Sequence, residues 1–307
     1  MTEPNPETHT PLKTTYDGVV PTGWLTAYGR TFTDIPYSQA MFDELEAIRT
    51  NSSSAPILEE MKDTKLAPQF EARHKLLNKL VKESGIKQVL EIAAGLSTRG
   101  IELTTDELIQ YVEVDLPTMM ADKRKILADL QEKGAIPNRP NLHIADGSAV
   151  EIDDLIKAAT YFDSSQPIAV VNEGLLRYLG FEDKTKYAEN VKCLLKQFGG
   201  VWITSDISLP KVFYKEDDVM ALRRKRISEI TGVNVADNLF KDEEDAKKFF
   251  GNLGFSVESH SFLEMLDDLT SPQALDMPRD YVEAINGSAV VFVMRLEDST
   301  SSSTTKP

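Results

Sequence analysis

The chain has 307 residues, and its 49 acidic residues outnumber its 34 basic ones, which gives a formal net charge of −15 at pH 7. This length favours one large domain or two ordinary ones, with enough residues to bury a hydrophobic core. Hydrophobic residues make up 41% and charged residues 27% of the chain, a composition that excludes a disordered protein. The acidic balance argues against a nucleic-acid partner, because phosphate binding needs clustered Lys and Arg.

The cysteine content and the ends of the chain limit the class further. The single cysteine, Cys193, excludes an internal disulfide and a CxxC metal or redox site, and we expect it to be a small core residue of a helix. The four histidines lack the spacing of a metal site, so we assign no metal. Residues 1–18 and 298–307 are polar, and we predict that both are disordered tails. No signal peptide and no membrane-spanning run is visible, so we expect a cytoplasmic protein.

The predicted elements begin with helices and then change to a regular alternation of strands and helices. Two helices are predicted first, at about 37–50 and 68–83. The predicted strands follow at 88–95, 108–116, 141–145, 167–171 and 200–205. The helices between them are predicted at 119–133, 152–160 and 184–197. This alternation predicts a mostly parallel sheet covered by helices on both faces.

The last part of the chain departs from the simple alternation. Two β-rich segments, 255–262 and 288–296, are separated by a helix and an irregular piece. The final strand follows the turn at Asn286 and Gly287, so it can insert antiparallel beside its neighbour. We therefore predict a single domain over residues 19–297, closed by an antiparallel last strand.

Two segments lie outside the predicted sheet and are candidates for lids. The first covers residues 19–66, and the second is a charged, mostly helical insertion at 206–251. The insertion contains the basic run 223–226, which is typical of a solvated helix face. Because neither segment belongs to the core, we expect both to cover a site and to influence substrate choice.

The carboxyl ends of the first two strands carry the first candidate site. Ligands of open parallel sheets bind at this edge, where the strand order reverses. The small residues Ala93 and Gly95 follow the first strand and let a ligand approach the backbone. Ser97 or Thr98 is placed to cap the next helix. Asp115 ends the second strand, where a carboxylate can accept both hydroxyls of a ribose. The GxGxxG and P-loop spacings are absent, so a nucleoside without a pyrophosphate fits better than NAD.

Polar residues after the third and fourth strands extend this edge. Asp146 and Gly147 follow the third strand, although the same pair is common in ordinary turns. Glu173 follows an apolar strand, where a carboxylate has little structural purpose, which favours a functional role. Arg73 lies on a helix further upstream, and an isolated arginine there is commonly a surface ion-pair partner.

Four sequence blocks resemble the leucine carboxyl methyltransferase family. They lie at 70–74, 93–98, 112–117 and 172–179, and the resemblance extends over about residues 20–296. It implies a class I, Rossmann-like α/β fold with a mostly parallel seven-stranded sheet and an antiparallel last strand. It also implies an S-adenosyl-L-methionine-dependent methyltransferase, in a family that includes bacterial and polyketide-associated O-methyltransferases. The family usually has Gly-Ala-Gly and then Asp in the first turn, whereas this chain has Ala93 and Ser97 at the differing positions.

The resemblance assigns roles to individual residues. It places Arg73 at the methionine carboxylate of the cofactor, since a guanidinium binds a carboxylate bidentately. It places Asp115 at the ribose, Asp146 at the adenine amino group and Glu173 at the methionine and sulfonium end. Tyr178 would stand near the transferred methyl group, so Tyr178 and Glu173 are the candidate catalytic residues. The implied cofactor-binding residues are Arg73, Ala93, Gly95, Asp115, Leu116, Asp146, Gly147 and Glu173.

The sequence favours an O-methyltransferase that acts on a carboxylate. Methyl transfer needs alignment more than acid–base groups, and a carboxylate arrives already ionised. An alcohol or phenol acceptor stays open, and it would require a general base or a lowered pKa. A non-catalytic S-adenosyl-L-methionine-binding protein is another alternative, and the missing GxGxxG opposes an NAD or nucleotide-sugar oxidoreductase. We expect a small-molecule or peptide acceptor, no membrane, and a monomer or homodimer.

Overall fold

The computed structural model describes residues 22–49, 62–207, 225–229 and 231–297. Both predicted tails lie outside the described residues, as do parts of the two predicted lids. Within the described ranges, no helix has the length and apolar character needed to cross a bilayer.

The seven strands of the described ranges form one mixed sheet in the order β3-β2-β1-β4-β5-β7-β6. The strands are β1 (Gln88–Ile92), β2 (Gln110–Asp115), β3 (Leu142–Asp146), β4 (Ile168–Asn172), β5 (Gly200–Ile207), β6 (Phe255–Ser261) and β7 (Val290–Leu296). Strands β1 to β5 pair in parallel, and β7 runs antiparallel between β5 and β6. The predicted sheet and its antiparallel last strand are confirmed. The strand order reverses between β1 and β4.

Helices lie on both sides of the sheet and in the segment predicted as the first lid. Among the described residues these are α1 (Thr22–Arg30), α2 (Ser38–Arg49), α3 (Ala67–Glu83), α4 (Arg99–Leu103), α5 (Pro117–Glu132), α6 (Ile152–Ala159), α7 (Phe181–Phe198), α8 (Glu243–Asn252), α9 (Ser271–Ala274) and α10 (Arg279–Asn286). Short 3₁₀ helices span Leu176–Tyr178, Val235–Asn238 and Phe262–Asp268. Helix α1 lies inside the first predicted lid, but the apolar pattern did not predict it as a helix.

The core fills both faces of the sheet, which explains the continuous apolar strands. Neighbouring residues of β1 point to opposite faces: Leu90 packs in the cluster with Trp202, and Val89 packs in the cluster with Ile203. All five residues of β1 and of β4 are buried, as expected for parallel strands covered by helices on each side.

A third apolar cluster attaches the segment predicted as the first lid to the core. Trp24 of α1 and Phe42 of α2 pack in this cluster with Met120 and Ile126 of α5. Helix α1 therefore lies next to the edge at which β1 and β2 end. The prediction that Cys193 is a core residue was wrong. Cys193 is exposed on α7, on a side of this helix that does not face the sheet.

Candidate functional site

The parallel register brings the ends of the first four strands to one edge. Ile92 lies opposite Val114 of β2 and Asn172 of β4. Asp115 lies opposite Asp146 of β3. The polar residues that follow these strands therefore gather near the point where the strand order reverses, as ligand sites of such sheets do.

The turn after β1 is held against β2 by a carboxylate. The backbone N–H of Gly95 donates to Asp115 Oδ2 over 2.7 Å, and a Cβ on Gly95 would lie 4.0 Å from that oxygen. Ala93 and Gly95 both have left-handed backbone angles, with φ of 57° and 50°. Such an angle costs a residue other than glycine about 1–2 kcal/mol, so the backbone is strained at Ala93.

Asp115 uses only part of its hydrogen-bonding capacity within the fold. Its Oδ1 accepts the N–H of Leu116 over 2.7 Å, and its Oδ2 accepts that of Gly95. Burial raises the pKa of Asp115, and these two bonds act in the opposite direction. An ionised carboxylate has about four acceptor positions, so about two remain for hydroxyl donors.

The expected cap after the first turn is weak. Helix α4 has five residues, and Thr98 stands at its N-cap position without a side-chain cap bond. Ser97 is closer to the expectation, because its hydroxyl accepts the N–H of Arg99 over 3.2 Å.

Asp146, the last residue of β3, and Gly147, which follows it, play different parts. The Asp146 side chain is 47% exposed and forms an ion pair with Arg124 of α5 at 2.7 Å. The N–H of Gly147 donates to the backbone oxygen of Asp115 over 2.9 Å. A Cβ on Gly147 would lie 2.9 Å from the Cβ of Asp154, so packing requires glycine here.

Three buried arginines converge on Glu173 at the end of β4. Arg73 Nε donates to Glu173 Oε1 over 2.8 Å, and Arg99 donates to Oε2 over 2.6 Å. Arg30, the last residue of α1, also donates to Oε1. All four side chains are at most 8% exposed. Burial alone would raise the pKa of Glu173, but the attraction of the three guanidinium groups outweighs it and holds the pKa well below its usual value.

This cluster carries a surplus positive charge. Arg99 also pairs with the buried Glu91, so three guanidinium groups face two carboxylates. Arg30 Nε is buried without a hydrogen-bond partner within the described part of the chain. A buried cation with an unused donor is costly unless an anion meets it, so the cluster is suited to a further carboxylate.

The turn that carries Tyr178 is shaped by Asp206 at the end of β5. Its carboxylate accepts the N–H groups of residues 174, 175 and 176 over 2.5, 2.6 and 3.1 Å. The Tyr178 hydroxyl donates to Thr22 Oγ1 over 3.1 Å. Helix α1 thus meets the site at both ends, through Thr22 and Arg30.

Sequence reasoning missed three residues of this arrangement. Arg99 stands directly after the first-turn block, which is the one local signal that pointed to it. Arg30 and Asp206 lie outside the four blocks, and nothing in their local sequence identified them. Of the predicted residues, Arg73 and Glu173 are in contact, Asp115 contacts Gly95 and Leu116, and Asp146 faces Arg124.

Comparison with known proteins bears on this geometry. The sequence model of the leucine carboxyl methyltransferase family matches residues 31–192, which is more than half of the chain. The chain belongs to this family. The matched range contains all of the predicted site residues, from Arg73 to Tyr178, while Arg30 precedes it by one residue. The resemblance recognised in the sequence is confirmed.

Individual relatives are more distant. A protein of Mycobacterium sp. (strain KMS) named "Putative S-adenosyl-L-methionine-dependent methyltransferase" is 27% identical over 201 residues, which cover 64% of this chain and 63% of the relative. The chain thus matches less than two thirds of the length of this relative. A solved DUF574 family protein from Streptomyces avermitilis covers 90% of this chain and 97% of its own, with 15% identity and a TM-score of 0.53. A solved "putative methyltransferase" from Thermobifida fusca covers 92% and 95%, with 14% identity and a TM-score of 0.52. At these identities the two structures bear on the fold alone.

Proposed function

We propose that the protein is an S-adenosyl-L-methionine-dependent O-methyltransferase that methylates a carboxylate acceptor. The observation that carries the proposal is the buried arginine cluster at the same edge of the sheet as Asp115, with its surplus positive charge and the unbonded Arg30 Nε. The names of the mycobacterial relatives support the choice of methyl donor.

The residues at this edge fit the two polar ends of such a cofactor. Arg73 and Arg30 would hold the methionine carboxylate, because both lie in the cluster that has a positive charge to spare. Asp115 would accept the ribose hydroxyls with its remaining lone pairs, beside Ala93, Gly95 and Leu116. We propose Asp146 and Gly147 for the adenine side. S-adenosyl-L-methionine supplies a methyl group on a sulfonium, which an acceptor oxygen displaces in line.

The protonation states at the site favour an acceptor that is already ionised. A general base works best when its pKa lies near the working pH, and the pKa of Glu173 lies well below its usual value. Burial lowers the pKa of His74 to about 4, and this ring is bonded to Glu102. We therefore assign Glu173 an electrostatic role beside the sulfonium rather than proton transfer. Tyr178 would hold the acceptor oxygen by its hydroxyl, which would give up its bond to Thr22 Oγ1 when the acceptor binds.

The first test is cofactor binding, measured by titration calorimetry. We expect one S-adenosyl-L-methionine or S-adenosylhomocysteine per chain, and no binding of NAD. Arg73→Lys should weaken both ligands comparably, because both carry the same carboxylate and a point charge cannot reproduce the guanidinium fork. An effect on one ligand alone would contradict the role of Arg73, and a wild type that binds neither would overturn the proposed donor.

The second test is the chemical nature of the product. Methyl-labelled S-adenosyl-L-methionine is incubated with the protein and a fractionated small-molecule extract, and labelled fractions are treated with mild alkali. We expect release of labelled methanol, because esters hydrolyse under these conditions and methyl ethers do not. Alkali-stable label would assign hydroxyl methylation instead. Binding without transfer to any fraction would favour a non-catalytic S-adenosyl-L-methionine-binding protein.

A further inference from the structure

A buried lysine lies directly behind the Tyr178 turn. Lys184, in the first turn of α7, is 1% exposed, and lysines are almost never buried so fully unless their charge is paired. Its Nζ donates to the backbone oxygen of Leu179 over 2.6 Å and to that of Asn238 over 2.7 Å. It also lies 4.5 Å from the ring centre of Phe181 and 5.6 Å from that of Phe240, within the range of cation–π attraction.

Asn238 completes the contact from the opposite direction. It ends the 3₁₀ helix Val235–Asn238, which belongs to the predicted insertion after β5. Its side-chain amide donates to the backbone oxygen of Arg177 over 3.1 Å. The two carbonyl groups that flank Tyr178, those of Arg177 and Leu179, are therefore both held by side chains from outside the turn.

The two ends of the turn are held differently. Asp206 fixes the start by accepting three backbone N–H groups, and it belongs to the sheet itself. Lys184 fixes the end by bonds that bridge to the insertion. An apolar side chain of similar volume would pack between Phe181 and Phe240 without the desolvation cost of a buried charge, so packing alone does not account for lysine here.

We propose that Lys184 and Asn238 form a latch that positions the Tyr178 turn, so that the insertion after β5 sets the alignment of the methyl acceptor. The proposal rests on the proposed function for its catalytic meaning, but the latch itself is a property of the free protein. Lys184 and Asn238 are positioning residues, since both act through the backbone on either side of Tyr178.

The opening equilibrium of the latch should depend on pH. Burial lowers the pKa of Lys184 to about 8, while the attraction of the Asp206 carboxylate acts in the opposite direction. The other groups that contact the ammonium are the rings of Phe181 and Phe240 and the backbone oxygens of Leu179 and Asn238. None of these four groups titrates. In an open latch the lysine would regain its usual pKa of about 10.4, so opening above pH 8 requires uptake of a proton. The latch should therefore tighten between pH 7 and pH 9, by about tenfold in the opening equilibrium.

Amide hydrogen exchange of the full chain tests the latch directly. In the wild type, protection factors of the amides at 177–179 should rise about tenfold from pH 7 to pH 9. Lys184→Met should lower protection both there and at 235–240, and should abolish the rise. Asn238→Ala should lower protection of the same amides but keep part of the pH dependence. Lys186→Met is the matched control, because Lys186 is exposed on the same helix and, within the described residues, forms an ion pair with the exposed Glu151.

Binding and transfer separate the latch from the proposed function. S-adenosylhomocysteine affinity should be equal in the wild type, Lys184→Met and Lys186→Met, while label transfer from S-adenosyl-L-methionine to the extract falls only in Lys184→Met. Protection and transfer in Lys184→Met that match those of Lys186→Met would overturn the latch. A wild type without label transfer would overturn the proposed function but leave the exchange result standing. If Lys184→Met does not fold, the wild type and Asn238→Ala still test the latch. Wild-type protection factors at 177–179 that do not change with pH, together with wild-type protection in Asn238→Ala, would overturn the proposal.

Discussion

At the ends of β1 and β2 the site is built from backbone groups of neighbouring turns, whereas directly after β4, around Glu173, it is built from charged side chains of distant segments. In the first region, Asp115 binds the N–H groups of Gly95 and Leu116. In the second, Glu173 is held by Arg30, Arg73 and Arg99, which lie 143, 100 and 74 residues away along the chain.

The two regions differ in how much their sequence can vary. The region around Asp115 depends on local spacing between a strand end and a turn, so it tolerates few changes in length. The region around Glu173 and Tyr178 also depends on α1 and on the insertion after β5, both of which lie outside the sheet. We expect the first region to bind the ribose of the methyl donor, which is the same for every acceptor. The second region would bind the methionine end of the donor and, through Tyr178 and the insertion, also distinguish acceptors.

The largest expected effect is on stability, at Glu173. Glu173→Gln leaves three buried guanidinium groups against one carboxylate, and breaking such a buried pair costs about 3–5 kcal/mol in the free energy of unfolding. Because the folded pKa of Glu173 is depressed, its contribution is present above the unfolded pKa and is lost as the pH falls through the folded value. Urea unfolding at pH 7 measures the difference.

The control for this prediction is Glu182→Gln, on an exposed residue of α7. It should change the free energy of unfolding by no more than about 0.5 kcal/mol. Equal effects of the two substitutions would show that the arginine cluster does not depend on Glu173. The region around Glu173 would then not be held together by its charged side chains, and it would not differ from the region around Asp115 in this respect.

The next effect concerns cofactor affinity in the region of backbone contacts. Asp115→Ala removes two charge-assisted bonds to a ribose, each worth at least about 1.5 kcal/mol, so the Kd for S-adenosylhomocysteine should rise about 100-fold. Asp146→Ala removes an exposed carboxylate that already pairs with Arg124, and its effect should stay below about tenfold. Titration calorimetry measures the affinity of both variants. Similar losses of affinity would contradict the expectation that the buried Asp115 contributes more to binding than the exposed Asp146.

A smaller effect is expected in the acceptor region. Tyr178→Phe removes one neutral hydroxyl, worth about 1 kcal/mol, so methyl transfer should slow about fivefold while S-adenosylhomocysteine affinity is unchanged. Tyr161→Phe is the control, since Tyr161 is exposed and stacks on His143. A loss of cofactor affinity in Tyr178→Phe would show that this side chain binds the methyl donor rather than the acceptor.

The smallest effect tests the strain in the first turn. Ala93→Gly removes the cost of a left-handed angle at φ 57° but makes the unfolded chain more flexible, so we expect a net gain of about 0.5 kcal/mol. Ala94→Gly should instead destabilise by about 1 kcal/mol, since Ala94 is buried and is not among the residues with positive φ. Thermal unfolding should show opposite signs, and a loss in both variants would contradict the strain at Ala93.

Much of the fold and the donor region was determined by the sequence alone. The alternation from residue 88 onward predicted the parallel sheet, because parallel strands covered on both faces are rich in apolar residues. The strand ends then located Asp115 and Glu173 at one edge, since parallel strands finish together. The edge of the sheet that carries the site follows from the direction of the parallel strands, and short βα units determine this direction locally.

The tertiary structure alone decided the partners of these residues. Arg30 reaches Glu173 because α1 packs on α5 through an apolar cluster, and no spacing within α1 indicates which carboxylate its last residue will meet. Lys184 appears in the sequence as one more charge on an amphipathic helix, and only its burial between the Tyr178 turn and Asn238 separates it from the exposed Lys186. Periodicity identifies the face of one element, whereas an ion pair or a latch needs two elements whose relative position depends on the packing of the whole core.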